Sequence, residues 1–313
     1  MITATAPGKI ILFGEHAVVY GRPAIAVPVS QLRAQATVQA SPQPGVRLVA
    51  PDLNHAAWLA DTPSDNPIAA AVWQVKQAIG LAAWPDMEIT VTSQIPIASG
   101  LGSGAAITAV AVRAVTQFVG YEHLLTDEWV SALTYEVEKI HHGTPSGIDN
   151  TVVTYEQPVY FLRQQPQNRI ETFAVAQPLT FLVADSGVRS STKDVVDDVR
   201  RHWQANRTQF ERIFNRCGEL ADAGRQAIEQ GDARLLGRLM QENQAVLEEM
   251  TVSSPILERL VQGALDAGAI GAKLSGAGRG GNMIALVEEG METAVSTALY
   301  DAGAKNVVST TLK

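Results

Sequence analysis

The stretch from Ile95 to Gly120 limits what this chain can fold into more than any other. It opens as Ile95-Pro96-Ile97-Ala98-Ser99-Gly100-Leu101-Gly102-Ser103-Gly104-Ala105-Ala106, a loop of small residues, and then runs on through thirteen mostly apolar residues to Val119. The second part predicts a helix with Gly120 as its stop. The glycines at 100, 102 and 104 let the backbone approach a ligand and take up positive φ. A helix beginning near Ser103 turns its unpaired N–H groups and its positive dipole end into the loop. A Gly-rich loop feeding a helix N-terminus is an anion site, most often for phosphate. A tight turn with a serine N-cap accounts for the same residues, and from this stretch alone the two readings stand level.

The flanking sequence places the loop in a mixed α/β chain. Met87–Thr92 alternates apolar and polar residues, as a half-buried strand does, and delivers the chain to Pro96. Further strands are expected at 9–13, after Pro7-Gly8, at Ala24–Val27, at Leu32–Val38 and at Val46–Val49. Asn66-Pro67 reads as an N-cap with proline at the first helical position, opening a helix to about Ile79 that Gly80 ends. A second helix is expected over Thr126–Ile140, with Glu138 on its last turn, where the dipole disfavours a carboxylate. Strand character resumes at Val152-Val153 and at Pro158–Phe161. Beyond a polar stretch between Gln164 and Gln177 come a buried strand at Leu179–Asp185, helices near 194–229, 232–250 and 255–267, and a strand at Ala272–Leu274. A second Gly-rich turn follows at Ser275–Gly281, then a strand at Asn282–Val287, a helix near Thr293–Ala302 and a strand at Asn306–Leu312.

Bulk properties narrow the function. At 313 residues two domains are the better expectation, cut here as 1–172 and 173–313. A net charge of −8 argues against a nucleic-acid partner held by bulk electrostatics, though it permits a local anion site. Cys217 is the only cysteine, which leaves no intrachain disulfide and fits a reducing cytoplasm. No signal-peptide pattern opens the sequence, and no run reaches the length of a membrane span, so no membrane partner is expected.

Four short stretches are unusual: Pro7-Gly8-Lys9 with Gly14-Glu15-His16, Pro96 to Ala106, Glu138 to Asp149, and Lys273 to Gly281. Together, and in this order, they resemble the GHMP kinases, the family named for galactokinase, homoserine kinase, mevalonate kinase and phosphomevalonate kinase. The resemblance spans Ala6 to about Leu286. Ala6–Gly21 and His142–Asn150 are most similar to the members that act on mevalonate; the arginine-asparagine and threonine-aspartate pairs of galactokinases are missing.

The resemblance implies an α/β (α+β) chain of two domains, the first like domain 2 of ribosomal protein S5 and the second ferredoxin-like. It implies ATP and Mg²⁺ as cofactors and (R)-mevalonate as substrate, phosphorylated on its C5 hydroxyl on the route to isoprenoids; a homodimer stays open. Asp149 is expected as the base and Lys9 as its partner, which fits phosphoryl transfer, where positioning and charge neutralisation dominate. Pro96, Ser99, Gly100, Leu101, Gly102, Ser103, Gly104 and Ala105 are the expected nucleotide cradle. Glu138 is the expected metal carboxylate, with Ser103 as a second ligand. Relatives offer a serine to the metal where this chain has Gly104. Glu15, His16, Ser146, Gly276 and Ala277 are the expected substrate contacts. Arg279, where many members have glycine, either meets a phosphate or points to solvent, and His141 and His142 are expected to be structural. Two rival readings remain: a family member acting on another small alcohol, and a ligand sensor without catalysis, which would have little need of Lys9, Glu138 and Asp149 together.

Overall fold

A computed structural model describes residues 1–96, 100–142, 145–165 and 168–313, with backbone alone at 141–142. The chain divides into two compact units, Met1–Lys9 with Leu32–Glu156, and Ile10–Gln31 with Gln157–Lys313. The chain passes from one unit to the other at 9/10, 31/32 and 156/157.

Two long strands carry the first two passages. β1 spans Ile2–Phe13 and β2 spans Ala24–Ala40. The sequence pattern predicts β1 from Lys9 and two strands where β2 is one, because Pro7 and Pro28 interrupt the pattern without ending the strands. β1 runs through Pro7, whose missing N–H is tolerated because β1 pairs with β2 alone. β2 runs through Pro28, which lies between its pairing stretches with β6 and β5, Ala24–Ala26 and Ala34–Ala40, so neither of those ladders loses a bond there.

In the first unit β3 (Val46–Ala50), β4 (His55–Trp58) and β5 (Met87–Ser93) extend the sheet in the order β4-β3-β5-β2. Four helices accompany it: α1 (Pro67–Ile79), α2 (Ser103–Phe118), α3 (Asp127–His142) and α4 (Ile148–Tyr155). α1 keeps the boundaries its sequence announced, with the Asn66 side chain accepting from the N–H groups of Ile68 and Ala69 and Gly80 closing the end at φ 66°. α2 packs against α1, α3 and α4, and Ala106, Ala109, Val110 and Ala114 are buried along it. α4 replaces the strand expected at Val152-Val153. The run Thr151-Val152-Val153-Thr154 has weak helix propensity, but all four side chains are buried, and packing overrides propensity.

In the second unit β2 pairs through Ala24–Ala26 with β6 (Val159–Leu162), which pairs with β7 (Arg169–Thr172). β8 (Leu179–Asp185) leads into α5 (Thr192–Ala205), α6 (Arg207–Gln230), α7 (Ala233–Glu249) and α8 (Pro255–Asp266). Then come β9 (Gly271–Ser275), β10 (Asn282–Val287), α9 (Glu292–Asp301) and β11 (Asn306–Leu312). Asn206 breaks the single long helix expected over 194–229; its side chain caps α6 through the N–H of Gln209. The sheet order β11-β8-β10-β9, antiparallel throughout, is that of a ferredoxin-like β-α-β-β-α-β unit. Its core joins Leu182, Phe214, Leu257, Leu274 and Met283. Among the described residues no helix is long and apolar enough to cross a membrane.

Candidate active site

In the first unit the Gly-rich loop meets β1. The Lys9 N–H donates to the Leu101 carbonyl at 2.9 Å, and Leu101 is buried. The N-cap of α2 is Gly102, at φ 73°, rather than the serine of the capped-turn reading. A Cβ at 102 would lie 2.8 Å from Lys9 Cγ, so the position needs both the left-handed backbone and the missing side chain. Ser103 and Gly104 form the first turn of α2, followed by buried Ala105, with Gly100 exposed and Pro96 half-buried. Ser99 lies outside the described residues.

The stem of Lys9, lying along Gly102, brings its Nζ to 3.2 Å from Asp149 Oδ1. Asp149 is in the first turn of α4, which starts after Gly147 at φ 94°. Ser146 accepts the N–H of Ile148 on its hydroxyl at 3.2 Å and so caps that turn. Glu138 comes from α3. That helix continues to His142, so Glu138 is a full turn inside its end rather than on the last turn, and it is buried. Burial, and then the negative charge of Asp149, push its carboxyl up to about 7, with Lys9 opposing. A Cβ on Gly104 would meet Glu138 Oε1 at 3.6 Å, so the start of α2, the Lys9–Asp149 pair and Glu138 form one cluster. A cavity of about 200 Å³ opens beside it, lined by Glu138, Pro145, Ser146, Gly147, Asp149 and Asn150.

A second cavity was not legible in the sequence. It measures about 100 Å³ and is walled mainly by apolar groups, among them Leu48, Leu53, Pro67, Ile68 and Ile107. Ile107 is about one turn along α2 from Ser103. Its walls come from separate elements and carry no motif, so only the fold assembles them.

The second unit holds the other expected residues. Glu15 is sealed from solvent and its Oε1 pairs with Lys273 Nζ, which also donates to the Leu274 carbonyl at 2.6 Å. Burial raises the Glu15 carboxyl and lowers the Lys273 ammonium; their attraction opposes both shifts, and the N–H of Gly276 helps hold Glu15 as the anion. His16, at φ 58°, donates from Nε2 to the Ala277 carbonyl at 2.9 Å. Burial lowers its pKa, so it is neutral near pH 7 and Nδ1 is an acceptor. Glu15 Oε2 and His16 Nδ1 have no hydrogen-bond partner among the described residues, although both are buried. Arg279 meets neither expectation: its guanidinium pairs with Asp198 and donates to the Thr251 carbonyl at 3.3 Å. The Lys273–Glu15 pair was missed by sequence reasoning; an apolar strand containing one lysine was its only signal. The His141 and His142 side chains lie outside the described residues.

Comparison with known proteins identifies the family. The family model of the GHMP kinases N terminal domain matches residues 66–157, and that of the GHMP kinases C terminal matches residues 225–305. The chain belongs to the GHMP kinase family. It is 34% identical to the mevalonate kinase of Pyrococcus horikoshii over 320 residues, covering 96% of this chain and 93% of that one. Among solved structures it resembles the L. major mevalonate kinase in complex with R-mevalonate, at 30% identity and a TM-score of 0.85 over 99% of this chain and 95% of that one. It also resembles the Methanococcus jannaschii mevalonate kinase, at 27% identity and a TM-score of 0.88 over 99% and 98%.

Proposed function

We propose that this protein transfers the γ-phosphoryl group of ATP to the C5 hydroxyl of (R)-mevalonate, giving 5-phosphomevalonate and ADP for isoprenoid synthesis. The Lys9–Asp149 contact carries the catalytic half of this reading. The names of the relatives, and the R-mevalonate bound to one of them, support the substrate.

Asp149 accepts the hydroxyl proton as the C5 oxygen bonds to the γ-phosphorus and the bond to ADP breaks. Before transfer the Lys9 ammonium pairs with the Asp149 carboxylate; once Asp149 has taken the proton, the ammonium is released to face the negative phosphoryl oxygens. Gly100, Leu101, Gly102, Ser103, Gly104 and Ala105 offer the phosphates backbone N–H groups and a helix N-terminus. The base of the nucleotide fits the apolar cavity at Ile107; Ile107→Trp, which fills it, should raise KM for ATP and leave KM for mevalonate unchanged.

The donor set fits Mg²⁺. This ion takes hard oxygens, usually one or two carboxylates with phosphate and water, and here a buried glutamate lies within the field of a second carboxylate. No group of three or more His, Cys, Asp or Glu residues is gathered among the described residues, so the nucleotide and water would complete the shell. Glu138 and Ser103 would hold the ion, which when bound neutralises charge on the phosphates.

Glu15 Oε2 and His16 Nδ1 are both acceptors, which suits hydroxyl hydrogens of the substrate. Gly276 and Ala277 act by holding those two side chains, and Ser146 by capping the turn that carries Asp149. The single cysteine, Cys217, is buried and unpaired, in keeping with a cytoplasmic site of action. The direct test is purified protein with ATP and a panel of (R)-mevalonate, 5-phosphomevalonate, homoserine and galactose, read as ADP release with product identification. ADP release with another alcohol but not with mevalonate sinks the substrate assignment.

A further inference from the structure

Asn150, next in sequence to the proposed base, has no place in the mechanism so far. It is buried, and so is Ser131 on α3. Asn150 Nδ2 donates to the Ser131 hydroxyl at 2.8 Å and to the Ser131 carbonyl at 3.2 Å. These bonds are not a cap of its own helix, because the unpaired groups at a helix start are N–H donors and the Asn150 Nδ2 is a donor as well. They join two helices. Ser131 and Glu138 are seven residues apart, about two turns, so they lie on one stripe of α3. The bond therefore ties the first turn of α4, one residue from Asp149, to the stripe that carries Glu138.

Apolar packing between the two helices cannot do this alone. Val130, Val137, Ile148, Val152 and Val153 are buried, but apolar attraction is non-directional and tolerates small slides and rotations. A buried amide whose hydrogens meet two fixed oxygens has one geometry, and leaving it unsatisfied is costly.

We propose that Asn150 is a positioning residue: clamped to Ser131, it sets the separation of the Asp149 and Glu138 carboxylates and so the geometry of phosphoryl transfer. The catalytic part of this inference rests on the proposed function, whereas the clamp does not. A displacement of about 1 Å at a reacting group can cost on the order of a hundredfold in rate.

The test compares the full-length protein with Asn150→Asp, Asn150→Ala, Ser131→Ala and Ser131→Thr. Asn150→Asp keeps size and shape but sets a lone pair against the Ser131 carbonyl, leaving only the Ser131 hydroxyl able to turn and donate. It should lower kcat by roughly 10- to 100-fold, with KM for ATP and for mevalonate within about threefold of the unsubstituted protein. Ser131→Ala should lower kcat less, and Ser131→Thr, which keeps the oxygen, should restore it. An unchanged kcat in folded Asn150→Asp overturns the proposal, as does a loss confined to KM. If that variant does not fold, Ser131→Ala and Ser131→Thr decide, and equal turnover in the two overturns it. If the unsubstituted protein phosphorylates no mevalonate, the proposed function fails, and the clamp is read by calorimetry of ATP with and without Mg²⁺. The gain in affinity from Mg²⁺ should then shrink at least about tenfold in Asn150→Asp, and an undiminished gain overturns it.

Discussion

Each unit contains a lysine against a carboxylate, and the two pairs behave as opposites. In the Lys9–Asp149 pair the lysine side chain is 9% exposed and the aspartate 33%, so the carboxylate can be reached. In the Lys273–Glu15 pair both side chains are 0% exposed. A reachable pair can exchange a proton with a substrate and settle again in water. A sealed pair has no such freedom: burial works against both charges, and their mutual contact is the main force opposing it. The first arrangement suits a reaction that moves charge, and the second a fixed charge that orients its surroundings. Glu15 then has one oxygen held by Lys273 and the other without a partner among the described residues, an acceptor aimed by the pair.

The sharpest way to break this contrast is to remove each partner in turn. Asp149→Asn should cut kcat by about 10²–10⁴, with ATP affinity measured by calorimetry largely unchanged. Turnover near that of the unsubstituted protein would refute the base assignment. Lys273→Met should act on stability, since a buried glutamate is left unpaired. About 3–5 kcal/mol is expected, read as a lowered denaturant midpoint, and Glu15→Gln in the same chain should recover most of it. A midpoint unmoved by Lys273→Met would make the sealed pair no different from a surface one.

A smaller effect tests the cluster around Asp149. Glu138 is raised to about 7 in the folded protein, first by burial and then by the Asp149 charge, whereas the unfolded chain titrates near 4.5. The folded state thus holds a proton that the unfolded state gives up. Its contribution is full below about pH 4.5, falls as pH rises to about 7 and is gone above that, a span of about 3 kcal/mol. Glu138→Gln should remove that portion of the pH dependence in denaturation curves taken without metal; matching slopes in the two proteins would count against a buried carboxylate. The smallest effect is expected from Gly104→Ser. A Cβ there makes only ordinary contact with Glu138 Oε1, at 3.6 Å, and its φ is not in the left-handed range. Serine should therefore raise stability by up to about 1 kcal/mol and place a hydroxyl near Glu138. A loss of stability would mean that the first turn of α2 has no room for a side chain.

Local signals carried most of the secondary structure. Asn66-Pro67 and Gly80 bounded α1, and β8 appeared where an apolar run predicted it, because caps and short buried strands are written in adjacent residues. α4 was misread since Thr151–Thr154 favour a strand locally and are made helical by burial, which no window of sequence reports. Asn206, one capping residue inside a long helical pattern, was read through. For the candidate site, the motifs made Lys9, Glu138 and Asp149 legible through their family resemblance. The Lys273–Glu15 pair, the Asn150–Ser131 clamp and the apolar cavity were not, because their members are far apart in sequence or look ordinary singly.

The sealed pair also bears on how the protein is made. Glu15 and Lys273 are 258 residues apart. At a synthesis rate of about 5–20 residues per second, Glu15 is added to the chain roughly 13–50 s before its partner lysine. Throughout that interval Glu15 has no Lys273 to pair with, so the sealed pair can form only after nearly all of the second unit has been made.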